Sequence, residues 1–148
     1  MDHSSQPREI DILLARYAES HRNHTNEIIH FACIPLIVLS LLGLLWAVHP
    51  MVAIAATLAS LYYYTRLSRG FAVGMGLMSA VMLGLLSLMP DMTVLPVSIA
   101  IFVVAWIGQF VGHKIEGKKP SFFEDLRFLL IGPLFVLSFL YRRLNFAY

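Results

Sequence analysis

The chain has 148 residues, of which 58% are hydrophobic and only 14% are charged, and its formal net charge is +2 at pH 7. Soluble domains have about a quarter of their residues charged, so this composition excludes an ordinary soluble protein and predicts an integral membrane protein. The length suits one domain and is too short for most transporters built from repeats. No basic run indicates nucleic-acid binding, and a single cysteine, Cys33, excludes an intrachain disulfide.

The first 27 residues are polar and contain five carboxylates, unlike a secretory signal, so we expect insertion through uncleaved spans. We expect residues 1–7 to form a flexible tail. Residues 8–22 carry apolar side chains at helical spacing and predict an amphipathic helix. Asn23 is a good N-cap, so a break near residues 23–26 precedes the next helix.

Four apolar segments follow, and each is almost free of charged residues: 28–48, 51–66, 71–89 and 93–112. About 20 apolar residues cross a bilayer, so these segments predict four spans. The last apolar run is too short to span, and we expect an interfacial or re-entrant helix over residues 122–143. The predicted fold is all-α, a single polytopic membrane domain over residues 1–148 built as a helix bundle.

Basic residues mark one side of this topology. They lie in the N-terminal stretch, between the second and third spans, and after the fourth span, whereas the turns near 49–50 and 90–92 have none. Lys and Arg in short loops stay cytoplasmic, so both termini are expected there. The predicted location is multi-pass in the inner membrane of a bacterium or the endoplasmic reticulum of a eukaryote.

Polar side chains that bind metals collect on the predicted cytoplasmic side. Residues four apart on a helix share a face, which pairs Tyr17 with His21 and Asn26 with His30. The two histidines are nine residues apart, so one continuous helix would place them on opposite faces. They can converge only if the chain bends near residues 23–26.

A third group lies at the end of the fourth span, where Gln109, His113 and Glu116 occupy three successive turns of one helix face. Ionisable groups at membrane depth are costly and mark candidate functional sites. Three imidazoles and a carboxylate suit zinc, iron or another borderline divalent metal. The candidate ligands are His21, His30, His113 and Glu116, and the residues expected to orient them by hydrogen bonds are Tyr17, Asn26 and Gln109.

These residues belong to two spaced motifs, Tyr17-x3-His21-x4-Asn26-x3-His30-x4-Pro35 and Trp106-x2-Gln109-Phe110-x-Gly112-His113-x2-Glu116-x3-Pro120, followed by Gly132-Pro133-x-Phe135. Together they resemble a family of short polytopic membrane proteins. Its characterised fungal member is an iron(II)-dependent 2-hydroxy fatty acid dioxygenase of fatty-acid α-oxidation. The resemblance covers about residues 10–140.

The resemblance implies an enzyme that uses O2 to shorten a 2-hydroxy fatty acid by one carbon, with Fe(II) as its cofactor and membrane lipids around it. It implies that the iron is held by His21, His30 and His113. Glu116 falls on a further motif position, as a ligand or as a neighbour that orients one. His24 stands where relatives often have Pro, so it is not expected to be a required ligand.

Two other functions remain open from the sequence. A zinc-dependent membrane lipid hydrolase would use a similar ligand set. A non-catalytic lipid-binding membrane protein would use its histidines only to cap helices or bond carbonyls. A transporter is disfavoured because no charge lies mid-span and no inverted repeat is visible. The acyl-chain length and the oligomeric state are left open.

Overall fold

A computed structural model describes residues 6–148. Over this range the chain is all-helical and has no strand, which confirms the predicted fold class for these residues. Residues 1–5 of the predicted tail lie outside the described range. The elements are α1 (Glu9–Ala18), α2 (His24–Val48), α3 (Pro50–Leu67), α4 (Arg69–Leu88), α5 (Asp91–Glu116), a 3-10 turn (Ser121–Phe123) and α6 (Phe128–Arg143).

The first helix is shorter than the one predicted over residues 8–22. Its last turn tightens, because the N–H groups of Ser20 and His21 donate to the carbonyls of Tyr17 and Ala18, three residues back. His21 therefore lies in the turn between α1 and α2, outside any helix.

Short turns join the following helices, and their side chains cap the helices that they begin. Asn23, His49 and Ser68 accept backbone N–H groups from the first turns of α2, α3 and α4. This satisfies donors that have no partner within a helix and confirms the predicted N-cap of α2.

Three helices among residues 6–148, α2, α4 and α5, are long and apolar enough to cross a membrane. Helix α3, which covers the predicted span 51–66, does not meet that criterion, and neither does α6, which lies in the predicted interfacial or re-entrant segment 122–143. Helix α3 ends in three tyrosines and Arg66, and α6 has only 16 residues. Many large apolar side chains on α2, α4 and α5 are exposed on the outside of the bundle, as lipid contact requires.

Helix α6 is packed into the bundle, where it contacts α1, α2 and α4. Ile10 of α1 and Ile131 of α6 are completely buried in one apolar core. The Tyr64 hydroxyl of α3 donates to the Leu130 carbonyl of α6 at 2.8 Å. The C-terminal helix therefore forms one wall of the molecule's interior.

Helices α2 and α5 make the most extensive contact in the molecule. A Cβ atom on Gly108 would lie 2.6 Å from the Cys33 Sγ, and one on Gly112 would collide with the amide oxygen of Asn26. Small residues let helix backbones approach closely. The absence of a side chain at these positions brings the adjoining histidines of the two helices together.

We expect Gly112→Ala to destabilise the protein by about 1–3 kcal/mol, because the added methyl group overpacks the α2–α5 contact. Gly84→Ala is the matched control, since a Cβ there has no atom within 4 Å and alanine favours helix. Thermal unfolding in detergent measures both. Equal melting temperatures for the two variants would show that the contact does not depend on Gly112.

Candidate metal centre

Three imidazoles from separate segments meet inside the protein. One ring nitrogen of each of His21, His30 and His113 lies within 4.8 Å of the others. The first belongs to the turn after α1, the second to α2 and the third to α5, and their exposures are only 3%, 1% and 5%. The bend between α1 and α2 is what lets the first two converge.

Backbone carbonyls orient two of these rings. The His21 Nδ1 lies 2.6 Å from the Tyr17 carbonyl, and the His30 Nδ1 lies 2.8 Å from the Asn26 carbonyl. A carbonyl oxygen only accepts hydrogen bonds, so each Nδ1 carries the proton and donates it. Each Nε2 therefore keeps a free lone pair, which is the form that binds a metal.

Two of the ring nitrogens in this group have no protein partner. The His21 Nε2 is buried without a hydrogen bond, and so is the His113 Nδ1. The Nε2 atoms of His30 and His113 face each other at 3.0 Å. A buried polar atom without a partner costs about 1–3 kcal/mol, and a divalent cation held by one nitrogen of each ring would satisfy the Nε2 of His21. The donor set fits such an ion.

The environment of His21 keeps it neutral. Burial lowers the pKa of His21 to about 4; the Tyr17 carbonyl opposes this shift, and His113 adds to it. The ring stacks on Tyr17 with centroids 4.1 Å apart and planes 8° from parallel. Burial also raises the pKa of Tyr17, so both stacked rings are uncharged near neutral pH.

Glu116 is bonded to the turn that carries His21. Its two oxygens accept backbone N–H groups from Arg22 at 3.0 Å and Asn23 at 2.7 Å, and the side-chain amide of Asn26 at 3.1 Å. An anion is favourable at the N-terminus of a helix, here that of α2. The carboxylate ties the end of α5 to this turn, and it is not part of the three-nitrogen group.

The remaining predicted residues surround the centre. Asn26 is fully buried and donates from Nδ2 to the Ser20 carbonyl at 3.2 Å, so it also holds the turn. Gln109 is buried and lines a cavity beside His30 and His113. His24 is exposed and outside the three-histidine group.

That cavity lies between α2, α5, α6 and the 3-10 turn, and most of its lining is apolar. Two residues that line it, Trp106 and Ser121, each have a buried polar atom without a hydrogen-bond partner, the Nε1 and the Oγ. Sequence reasoning placed Trp106 in a motif without a role and missed Ser121. The one available signal was the spacing of Trp106, one helical turn before Gln109.

These features define a class of protein: a helical membrane-type protein with a buried three-histidine centre beside an apolar cavity. The family model described as 2-hydroxy-palmitic acid dioxygenase Mpo1-like matches residues 8–144, and the chain belongs to this family. The 2-hydroxy-palmitic acid dioxygenase MPO1 of Saccharomyces cerevisiae is 29% identical over 138 residues, which cover 87% of this chain and 78% of the yeast protein. No solved structure matches. The predicted family resemblance is confirmed.

We expect Glu116→Ala to lower stability by about 1–2 kcal/mol, because three donors of the α1–α2 turn lose an acceptor that is partly open to solvent. Glu124→Ala removes an exposed glutamate and serves as the control. Thermal unfolding and protease cleavage between α1 and α2 measure the loss. An unchanged cleavage rate would contradict this role for the carboxylate.

Proposed function

We propose that the protein is a membrane-embedded, non-haem iron(II) dioxygenase that shortens 2-hydroxy fatty acids by one carbon. The main support is the buried group of three imidazoles, two of which have Nε2 atoms 3.0 Å apart and line an apolar cavity. Family membership and the activity for which the yeast relative is named support the substrate class and the oxidant.

In this proposal His21, His30 and His113 hold the iron, and the carbonyls of Tyr17 and Asn26 keep the first two rings in the metal-binding tautomer. Iron is favoured over zinc because an oxygenase needs a redox-active metal, which zinc is not. When bound, iron(II) supplies the electron transfer with O2. Glu116 holds the turn that positions His21.

The balanced reaction consumes one O2 for each acid. The 2-hydroxy acid R–CH(OH)–COOH and O2 give the shortened acid R–COOH, CO2 and H2O. The bond between the carboxyl carbon and the hydroxyl-bearing carbon breaks, the acid loses four electrons, and O2 gains them. The burial of the three histidines keeps bulk water from this chemistry.

The protein can bind the polar head of the acid through groups that have no other partner. The Trp106 Nε1–H and the Ser121 hydroxyl are donors on residues that line the same cavity as His30 and His113. A carboxylate and its neighbouring hydroxyl offer matching acceptors. The apolar lining then receives the first carbons of the acyl chain.

We place α2 to α5 across the bilayer, including the less apolar α3, with α6 as the interfacial or re-entrant helix. Basic residues at both termini and between α3 and α4 support cytoplasmic ends. The three histidines then lie at the cytoplasmic boundary. A fatty acid reaches this level from the bilayer, with its carboxylate at the interface.

Anaerobically purified protein, loaded with iron(II), is expected to consume O2 with 2-hydroxypalmitate and release an acid one carbon shorter, identified by mass spectrometry. His30→Ala and His113→Ala should lose both the bound iron and the O2 uptake. His24→Ala is the matched control and should keep both, because it removes an exposed histidine.

Three results would contradict the proposal. Bound zinc without O2 uptake would favour the zinc-dependent lipid hydrolase. Metal content unchanged in the His30 and His113 variants would agree with a non-catalytic lipid-binding protein. A product of unchanged chain length would exclude the one-carbon shortening.

We expect Trp106→Phe to raise the KM for 2-hydroxypalmitate about fivefold, the effect of losing one hydrogen bond worth about 1 kcal/mol. The phenyl ring preserves most of the packing, so the iron content should stay the same. Trp46→Phe, on the apolar cluster at the other end of α2, is the control. Equal KM values for the two variants would remove Trp106 from the head-group site.

A further inference from the structure

A second cavity adjoins the one beside the histidines. It lies between α2, α3, α4 and α6 and has a volume of about 330 Å³. Four residues line both cavities, namely Val38, Leu41, Leu129 and Pro133. The two spaces are therefore adjacent and are separated by these four apolar side chains.

Four hydroxyl-bearing residues line the second cavity, and three of them, all on α3, have their hydroxyls bonded to backbone carbonyls; the fourth is Ser79 of α4. Thr57 and Ser60 each donate their hydroxyl to a carbonyl four residues earlier in α3, at 2.9 Å. The Tyr64 hydroxyl is bonded to the Leu130 carbonyl at 2.8 Å. Apart from Ser79, the other lining residues are aliphatic or methionine, so the cavity suits a long apolar ligand.

The sizes of the two cavities complement each other. The cavity beside the histidines has about 70 Å³ of internal space, which is too little for a long acyl chain in addition to its polar head. An apolar cavity of about 150 Å³ takes up benzene, so the second cavity has room for on the order of ten carbons.

We propose that the second cavity holds the distal part of the substrate's acyl chain, and that Ser60 and Met75 on its wall set the chain length that the enzyme prefers. The proposal rests on the proposed function. The polar head lies beside the histidines, the chain passes Leu41 and Leu129, and its end lies between α3 and α4.

The first experiment compares kcat/KM for saturated 2-hydroxy acids from octanoic to stearic acid. With KM expressed as the concentration of acid free in water, each methylene that enters the cavity should raise kcat/KM about fourfold, and the rise should stop when the cavity is full. Ser60→Trp should lower the chain length at which the rise stops, and Met75→Ala should increase it. Ala59→Trp, at the exposed neighbouring position of α3, is the matched control.

The outcomes separate the two proposals. Suppose that the unaltered protein consumes O2, and that kcat/KM depends on acyl-chain length in the same way for Ser60→Trp and Ala59→Trp. The proposal that the second cavity holds the acyl chain is then overturned, and the proposed function stands. If the unaltered protein consumes no O2 with any acid, the proposed function fails. A measurement of binding then shows whether the second cavity holds the acyl chain.

That measurement uses a 2-hydroxy acid with a diazirine at the end of its chain, photolysed in the presence of the unaltered protein in nanodiscs. Cross-links to Thr57, Ser60 or Met75, identified by mass spectrometry of the peptides, support the pocket without any requirement for turnover. Cross-links confined to outward-facing residues such as Leu77 and Val81 would place the acyl chain in the surrounding lipid and would overturn the proposal that the second cavity holds it.

Discussion

The backbones of α2 and α5 approach closely, and the candidate centre depends on that contact. Gly112 has no side chain, so Asn26 and His30 of α2 can lie directly against α5. The same approach leaves the His30 and His113 Nε2 atoms 3.0 Å apart. A helix pair separated by one more methyl group would not bring these nitrogens together, because a packed interface cannot absorb that volume without a shift.

Polar contacts bring the third imidazole to this pair. His21 lies outside the helices, and a turn by itself would leave it mobile. Glu116 and Asn26 bond the turn to α5 and α2, and Tyr17 supports the ring by stacking and through its carbonyl. The motif residues around the histidines thus fix the positions and tautomers of the rings.

Apolar cavities lie beside the candidate metal centre. The proposed chemistry at a metal and the proposed recognition of a long acyl chain need opposite environments, and the fold places the buried three-histidine group next to apolar cavities. Pro133 and Leu129 of α6 stand between the two cavities. The helix that the sequence marks as too short to span therefore forms part of the inner wall, where it contacts α2 and α4.

The sequence alone determined the all-α class, the apolar helices, the cap at Asn23 and the family, because periodicity, composition and spaced motifs are local properties. It also indicated that His21 and His30 need a bend to meet. Only the tertiary structure decided that α1 stops before His21, that Glu116 accepts hydrogen bonds from the turn, and that Ser121 enters the cavity. These features arise from contacts between residues distant in the chain, and no local pattern encodes such contacts.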